Sequence, residues 1–343
     1  MKFDVVVGNP PYQETNDDRN RDDAIYPYFY DLAKSIGVEY SLISPARFLF
    51  NVGSTPVIWN QKMLNDRHIK VEYFNQNSGE VFPNTDIKGG VAVLYRNSKV
   101  NFEAIETFTS FDELNLILKK VYNNSNYHKR SLDDLMYVQT KFDLKELYNN
   151  FPKFISRLGS GGKERRLISS IFTLLPEIFS DNPKLENDVQ IYGRLNNERV
   201  YRWINQKYLE RGGNFNGWKV IVPSANGSGA IGEVLSTPVI GRPVIGHTQT
   251  FISIGNFETE FEAEALLKYL KGKFSRVMLG IKKTTQNNKT KETWSKVPLQ
   301  DFTPNSDIDW TKSISEIDQQ LYAKYGLDEK EIDFIESKVK EMV

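Results

Sequence analysis

Apolar segments alternate with helix-like stretches in the first hundred residues, and this alternation limits the fold more than any other feature of the sequence. The first segment, FDVVV (3–7), has no regular apolar–polar alternation, which predicts a strand covered on both faces in a parallel sheet. Further strands are predicted at 39–45, 69–74 and 90–96, with helices at 25–36 and 54–66. Strands that alternate with helices are typical of an α/β layer structure.

The composition changes along the chain and predicts four segments. Residues 1–110 form the α/β part, and residues 111–150 are polar and helical, which indicates a connector. Residues 151–305 hold short β-like runs between glycine and proline turns, which predicts an α+β domain. Residues 306–343 form two predicted helices that separate at Gly326.

The 343 residues include no cysteine, which excludes disulfides and thiolate metal sites and fits a reducing compartment. No apolar run approaches the ~20 residues that span a bilayer, and no charged-then-apolar leader opens the chain. His68, His128 and His247 lack the spacing of metal ligands. We therefore expect a soluble, cytoplasmic protein without a metal site or a membrane partner.

The net charge of zero hides a gradient along the sequence. Residues 1–140 have a net charge of −3, residues 141–300 have +9, and residues 301–343 have −6. A basic middle segment is typical of a surface that binds a polyanion, although an ordinary solvated basic face fits the charge equally well.

The first apolar run ends in a stiff polar turn, Asn9-Pro10-Pro11-Tyr12. Two consecutive prolines hold the chain extended, and ligands of open α/β sheets bind beyond the carboxyl ends of strands. The Asn9 amide oxygen and a backbone carbonyl can both accept hydrogen bonds from one amino group. The Tyr12 ring offers a face for a planar base, a contact worth about 1–3 kcal/mol. Such a turn is suited to presenting an exocyclic amine to an electrophilic methyl group. The same residues also fit a rigid turn that only ends a strand.

Asn9-Pro10-Pro11-Tyr12 resembles the catalytic motif of DNA amino-methyltransferases, specifically the adenine methylases of the gamma motif order. The resemblance continues in the same order through GVEYSLISPARFL (37–49), VEYFNQNSGEVFPN (71–84) and GGVAVLYR (89–96). These segments cover about the first hundred residues, and their order is far more specific than the tetrapeptide. The family's fold would be a partial Rossmann-like methyltransferase sheet of later strands only, followed by an α+β target-recognition domain and a C-terminal helical tail.

The resemblance implies methyl transfer from S-adenosylmethionine to the amino group of an adenine that has been flipped out of the DNA duplex. Asn9 and the Pro10 carbonyl would accept the amino hydrogens, and Pro11 would stiffen the turn. Tyr12 and Phe82 would stack on the two faces of the base. Orientation would carry most of the acceleration, because the sulfonium is already a good leaving group.

The sequence departs from the gamma order in one respect. Enzymes of this order place a glycine-rich cofactor loop before the Asn-Pro-Pro-Tyr strand, where this sequence has eight residues. GSGAIG (227–232) matches G-x-G-x-x-G, but the residues after it predict β structure rather than a helix, so we interpret it as a hairpin or DNA-facing loop. We therefore expect the main S-adenosylmethionine pocket outside this chain, in an upstream fragment or a partner chain.

Residues 151–300 resemble, more loosely, the target-recognition domain of these enzymes, whose partner is double-stranded DNA. RLGSGGKERR (157–166) and IKKTTQNNKTKETWSK (281–296) combine cations with small or polar residues that can contact phosphates and base edges. The candidate DNA-binding residues are Arg157, Lys163, Arg165, Arg166, Lys282 and Lys283. Solvated loops have similar compositions.

The leading interpretation is a site-specific DNA adenine-N6 methyltransferase, as a fragment or part of a split enzyme, from a restriction–modification system. The alternative is a DNA-binding specificity module of such a complex without catalysis of its own. A third interpretation is methylation of RNA or of a protein amide by the same turn.

Overall fold

The computed structural model describes residues 3–14, 23–51, 55–85, 87–124, 130–283 and 285–342. The chain divides into two compact units, Met1–Asn115 and Leu116–Val343. Both units combine helices with sheets, so the predicted mixed α/β class is confirmed. The finer division into four segments stays a prediction.

The first unit contains the strands and helices that the sequence predicts. Its elements are β1 (Phe3–Gly8), β2 (Gln13–Glu14), β3 (Asp23–Ala24), α1 (Tyr26–Ile36), β4 (Gly37–Pro45), α2 (Val57–Leu64), β5 (Ile69–Asn75) and β6 (Val91–Asn97).

The main sheet of this unit has the strand order β1-β4-β6-β5. β1 and β4 are parallel, whereas β6 is antiparallel to both β4 and β5. The carboxyl ends of β1, β4 and β5 therefore lie at one edge of the sheet. β2 and β3 form a separate antiparallel pair.

One face of the sheet is closed by an aromatic core. Tyr30, Tyr40, Phe48 and Trp59 pack among the buried residues of this core. The Tyr30 hydroxyl bonds to the Leu42 carbonyl at 3.2 Å and lies 3.0 Å from the Ser44 hydroxyl. These contacts hold β4, the strand that pairs with β1, against the aromatic core.

The prediction that β1 is covered on both faces is wrong. Val6 packs against the aromatic core, but Phe3, Val5 and Val7 on the other face are 48%, 51% and 76% exposed. This exposure shows that no described element covers the second face of β1. β1 is also the outermost strand and pairs only with β4 among the described residues. An apolar edge strand of this kind invites pairing with another strand.

The second unit begins within α3 and holds the rest of the elements. They are α3 (Asp112–Asn123), β7 (Met136–Tyr137), α4 (Leu144–Asn150), α5 (Ile171–Leu174), β8 (Asp188–Leu195), β9 (Glu198–Asn205), β10 (Trp218–Pro223), β11 (Val239–Gly241), β12 (Ile245–His247), β13 (Phe251–Phe257), α6 (Glu260–Lys271), α7 (Lys273–Gly280), α8 (Lys291–Trp294), α9 (Ile314–Tyr325) and α10 (Glu329–Lys338).

Two sheets organise this unit. The first has the order β11-β10-β13-β7 and is antiparallel throughout. In the second, β8 pairs in parallel with β12 and in antiparallel with β9. The inner side of the β8–β9 hairpin contributes Val189, Ile191 and Ile204 to a buried core.

The C-terminal helices form where the sequence predicts them. α9 ends at Gly326, whose φ of +63° is the left-handed conformation that favours glycine at a helix end. α10 then begins with a capping box in which Asp328 and Glu331 satisfy each other's backbone amides.

Candidate functional site

The turn after β1 is anchored at both ends and open in the middle. Gly8 pairs with Leu42 of β4, and the Tyr12 carbonyl accepts a hydrogen bond of 3.2 Å from the Ile25 amide. Between these anchors Pro10 is buried, whereas Asn9 and Pro11 are exposed. The structure therefore presents the Asn9 side chain to solvent at the carboxyl end of a strand.

The Tyr12 hydroxyl is a buried polar group beside the Asn9 side chain. Its oxygen is shielded from solvent, and none of the described residues lies in hydrogen-bonding geometry to it. Burial raises the pKa of Tyr12, and the nearby Asn9 side chain partly offsets that rise. An unpaired buried hydroxyl costs about 1–3 kcal/mol, and the described residues offer this one no more than the weak interaction with Asn9.

The loop after β5 is held by a buried serine. The Ser78 carbonyl accepts a hydrogen bond of 2.8 Å from the Phe82 amide. The Ser78 hydroxyl donates to the Thr85 carbonyl at 3.1 Å and accepts from the Ile87 amide at 2.8 Å. These bonds fix Phe82 in a half-buried position.

Gly90 closes this loop onto the sheet. Its φ is +77°, and a Cβ at this position would lie 2.2 Å from the Asn75 carbonyl oxygen. Only glycine fits such a close approach. The glycine pair before β6 therefore returns the chain directly over the end of β5.

The two candidate stacking residues lie in loops that begin at the same, carboxyl-terminal edge of the sheet. These loops follow the two outermost strands. Tyr12 follows β1, and Phe82 follows β5, which are separated by β4 and β6. Three strand spacings correspond to roughly 14 Å between the two outer strands. The structure thus places both loops on one side of the sheet, and the stacking roles of Tyr12 and Phe82 stay predictions.

The basic residues predicted to contact DNA fall into different environments. Arg157 forms an ion pair of 2.6 Å with Glu177 and lies over the Phe154 ring. The pKa of Glu177 is lowered to about 2, chiefly by its bond from Arg157. Arg157 therefore already has an internal partner.

Arg165 and Lys282 also have carboxylate partners. Arg165 pairs with Glu210, and the Lys282 ammonium lies 3.5 Å from Glu292. Lys163 and Arg166 are exposed, and neither has an ion pair with another described residue. Of the six candidates, these two are the most accessible to a phosphate.

Lys283 is buried and paired, and its DNA contact stays a prediction. Its side chain is only 2% exposed and pairs with Glu233, and its ammonium donates to the Asn226 carbonyl at 2.8 Å. A buried, paired ammonium cannot reach a phosphate without breaking these bonds. The sequence alone does not show this burial, because Lys283 lies in the same basic run as Lys282, which is partly exposed.

The glycine-rich loop at 227–232 closes around the same carboxylate. The Ser228 and Gly229 amides donate to Glu233 at 2.8 Å and 3.2 Å. A Cβ on Gly227 would lie 2.1 Å from a Glu233 oxygen. The loop connects β10 to β11, which confirms the predicted hairpin and leaves its amides occupied by the protein's own carboxylate.

The histidines have backbone and hydroxyl partners. His68 Nδ1 lies 2.7 Å from the Val100 carbonyl oxygen, and buried His247 contacts the Ser253 hydroxyl at 2.9 Å. His128 lies outside the described residues. Within the described ranges, no three histidine, cysteine or acidic side chains form a metal-ligand cluster.

No helix in these ranges is long and apolar enough to cross a membrane.

The sequence interpretation missed the β8–β9 hairpin. Its signal was present, because two runs of alternating polarity flank Asn196-Asn197. Both asparagines have positive φ angles, +49° and +66°, which is the geometry of a tight hairpin turn.

The family comparison concerns the N-terminal part of the chain. Residues 1–82 match the Eco57I restriction-modification methylase family. An uncharacterized adenine-specific methylase of Mycoplasma pneumoniae is 34% identical over 95 residues, which is 26% of this chain and 22% of that relative. This chain therefore matches about a fifth of the relative's length.

Two solved structures are similar over most of this chain. The type IIG restriction endonuclease BpuSI has a TM-score of 0.33 and 10% identity, with 92% of this chain and 49% of that chain covered. The type IIL restriction-modification enzyme MmeI, in complex with DNA, has a TM-score of 0.34 and 8% identity, with 98% and 56% covered.

Both TM-scores are low, so the assignment rests on the two sequence matches. The family match covers residues 1–82, which include the Asn9–Tyr12 turn and the strand after it. The predicted resemblance is therefore confirmed, and the N-terminal part of this chain is similar to the adenine methylases of restriction–modification systems.

Proposed function

We propose that this protein takes part in site-specific methylation of DNA at the N6 atom of adenine. The observation that carries the proposal is the turn after β1. It holds an exposed Asn9 and a buried, weakly paired Tyr12 hydroxyl within the segment that matches a methylase family. Unsatisfied polar groups at the carboxyl end of a strand are typical of a ligand site.

The strand order supports this proposal. In β1-β4-β6-β5, two parallel strands are followed by one antiparallel strand, and three carboxyl ends share an edge. We interpret this sheet as the later strands of a Rossmann-like methyltransferase domain. β1 would then pair, along its free edge, with a strand outside this sequence.

In the proposed reaction the turn holds the adenine amino group. The Asn9 amide oxygen and the Pro10 carbonyl accept hydrogen bonds from its two N–H groups, which directs the nitrogen lone pair away from the turn. One of these protons would be released to solvent when the nitrogen gains the methyl group. The rings of Tyr12 and Phe82 stack on the flipped base from its two sides. S-adenosylmethionine would supply the methyl group when bound.

The described residues do not fit the main pocket for that cofactor. The glycine-rich loop at 227–232 leads into β11 rather than into a helix, and its amides bind Glu233. We therefore propose that polypeptide outside these 343 residues binds S-adenosylmethionine. Double-stranded DNA is the proposed second partner, and a cytoplasmic location is part of the same proposal.

The test is transfer of a labelled methyl group from S-adenosylmethionine to mixed-sequence duplex DNA. The full chain is assayed alone and with a candidate upstream fragment. Asn9→Ala should lower the transfer rate by about 10²-fold or more, the size expected for removing a positioned polar group. Gln61→Ala, which truncates an exposed amide on α2, serves as the matched control and should transfer normally.

The outcomes separate two functions. Transfer that Asn9→Ala abolishes supports the proposed enzyme. DNA binding without any transfer, even with the upstream fragment present, would overturn it and favour a specificity module without catalysis.

A further inference from the structure

The β8–β9 hairpin has two chemically different faces. Antiparallel pairing places Tyr192 opposite Tyr201 and Arg194 opposite Arg199. Because side chains alternate along a strand, these four residues share one face with Gln190 and Trp203. The other face packs into the core of the second unit. Tyr192 on this face is buried against Ile221, Ile245 and Phe251. The exposed part of the face therefore consists of Arg194, Arg199 and Tyr201.

The arginines around this face bind only neutral acceptors. Arg194 donates to the Asn197 carbonyl at 3.0 Å, and Arg199 donates to the Thr237 carbonyl at 2.7 Å and the Ser236 carbonyl at 3.0 Å. Arg242 donates to the Gln190 side chain at 3.2 Å.

Three positive charges therefore remain unneutralised on this face. Among the described residues, no carboxylate forms an ion pair with Arg194, Arg199 or Arg242, in contrast to Arg157 and Arg165 elsewhere in the unit.

The aromatic residues form a supported stack. The Tyr192 ring lies on the buried Phe251 ring, with centroids 4.5 Å apart and planes 29° apart. The Tyr201 ring lies 4.8 Å from Tyr192 and is 37% exposed. Tyr201 is thus the outer member of a three-ring stack whose inner members hold it in place.

We propose that the outer face of the β8–β9 hairpin binds double-stranded DNA. Arg194, Arg199 and Arg242 contact phosphates, and Tyr201 packs against the nucleotides between them. Cations beside an exposed ring are suited to a phosphate backbone with neighbouring bases. This inference rests on the proposed function, because DNA is the partner that adenine methylation requires.

The salt dependence of DNA binding tests the inference. The Arg194→Gln/Arg199→Gln/Arg242→Gln variant of the full chain is titrated against a fluorescent mixed-sequence duplex over a salt series. Loss of three phosphate contacts should reduce the slope of log K against log salt by about 2.7 and weaken binding at least about tenfold at low salt.

Two controls accompany this variant. Lys312→Gln/Lys330→Gln/Lys340→Gln removes the same charge from exposed positions of the acidic C-terminal segment and should leave most of the slope unchanged. Tyr201→Ala should weaken binding about tenfold with little change in slope, since it removes stacking rather than charge. Thermal unfolding confirms that each variant folds.

The outcomes distinguish this inference from the methylation proposal. An unchanged slope in the triple arginine variant overturns the inference, even if the protein methylates DNA. A reduced slope supports it, even if no methyl transfer is found. Failure of the unmodified chain to bind duplex DNA, or tighter binding of single-stranded RNA with the same arginine dependence, also overturns it.

Discussion

Two loops of this protein match known ligand-binding patterns, and the chain uses them in opposite ways. The turn from Asn9 to Tyr12 leaves an amide exposed and a buried hydroxyl only weakly paired. The glycine-rich loop at 227–232 directs its amides onto Glu233, which also pairs with Lys283. The Asn9–Tyr12 turn therefore has polar groups that are available to a ligand. In the glycine-rich loop, the Ser228 and Gly229 amides are already bonded to Glu233.

The difference shows that a motif predicts geometry better than it predicts a partner. Both segments form connections after a strand, the first after β1 and the second between β10 and β11. What separates them is whether another residue of the chain satisfies the polar groups. Changes in the occupied loop should therefore alter stability, and changes in the open turn should alter function.

The largest expected effect on stability comes from Glu233→Gln. This change leaves the buried Lys283 ammonium without its counter-charge, and removing one member of a buried ion pair costs about 3–5 kcal/mol. Chemical denaturation measures the free energy of unfolding. Glu186→Gln, at an exposed carboxylate, is the control and should stay within about 0.5 kcal/mol of the unmodified protein.

A second variant sharpens this prediction. Combining Glu233→Gln with Lys283→Met should recover part of the lost stability, because no unpaired charge remains buried. Equal stability of Glu233→Gln and the unmodified protein would show that the loop is not held by this pair, and its amides would then be open to a ligand.

An intermediate effect is expected from His247, which is another internally satisfied group. Burial lowers the pKa of His247 from 6.5 to about 4, with a smaller contribution from the nearby Lys219 charge. As the pH falls below about 6.5, the unfolded chain binds a proton that the folded protein does not. Stability is therefore lost on acidification, by about 2 kcal/mol between pH 7 and pH 5.

His247→Gln should remove this loss, and unfolding curves at the two pH values measure it. Asp318 provides the opposite sign, because burial raises its pKa from 3.8 to about 6 and the folded protein then binds the extra proton. Asp318→Asn should therefore steepen the acid loss. An identical pH dependence in His247→Gln and the unmodified protein would contradict the assignment.

The smallest effect is expected from Tyr12→Ala in the open turn. Loss of one stacking face should weaken capture of an adenine opposite an abasic site by about tenfold. Binding of duplexes with and without such a site measures the difference. Tyr28→Ala, at an exposed ring on α1, is the control. Unchanged preference for the abasic duplex in Tyr12→Ala would remove the ring from the proposed site.

The sequence predicted the elements of the first unit well because its signals are local. The apolar runs that became β4, β5 and β6 are bounded by prolines, glycines or polar turns, and Gly326 and Asp328 fixed a helix end and start. The exposure of β1 could not be read from FDVVV, since coverage depends on which elements pack on its faces rather than on its own residues.

The candidate site was predictable only in part for the same reason. The Asn-Pro-Pro-Tyr turn is a contiguous motif, and the comparisons support the segment that contains it. Lys283 is buried because it pairs with Glu233, which lies fifty residues away in the sequence. No local sequence pattern predicts that pair. The Asn196-Asn197 turn was visible, but the unpaired arginines beside it become apparent only in three dimensions.

Nucleoside analysis of modified DNA tests the central claim most directly. Duplex DNA is incubated with S-adenosylmethionine and this protein, together with a candidate upstream polypeptide that binds the cofactor, then digested and analysed by mass spectrometry. The account predicts N6-methyladenine with the unmodified chain and its loss with Asn9→Ala. Methylation of another base, or N6-methyladenine formed equally well by Asn9→Ala, would contradict it.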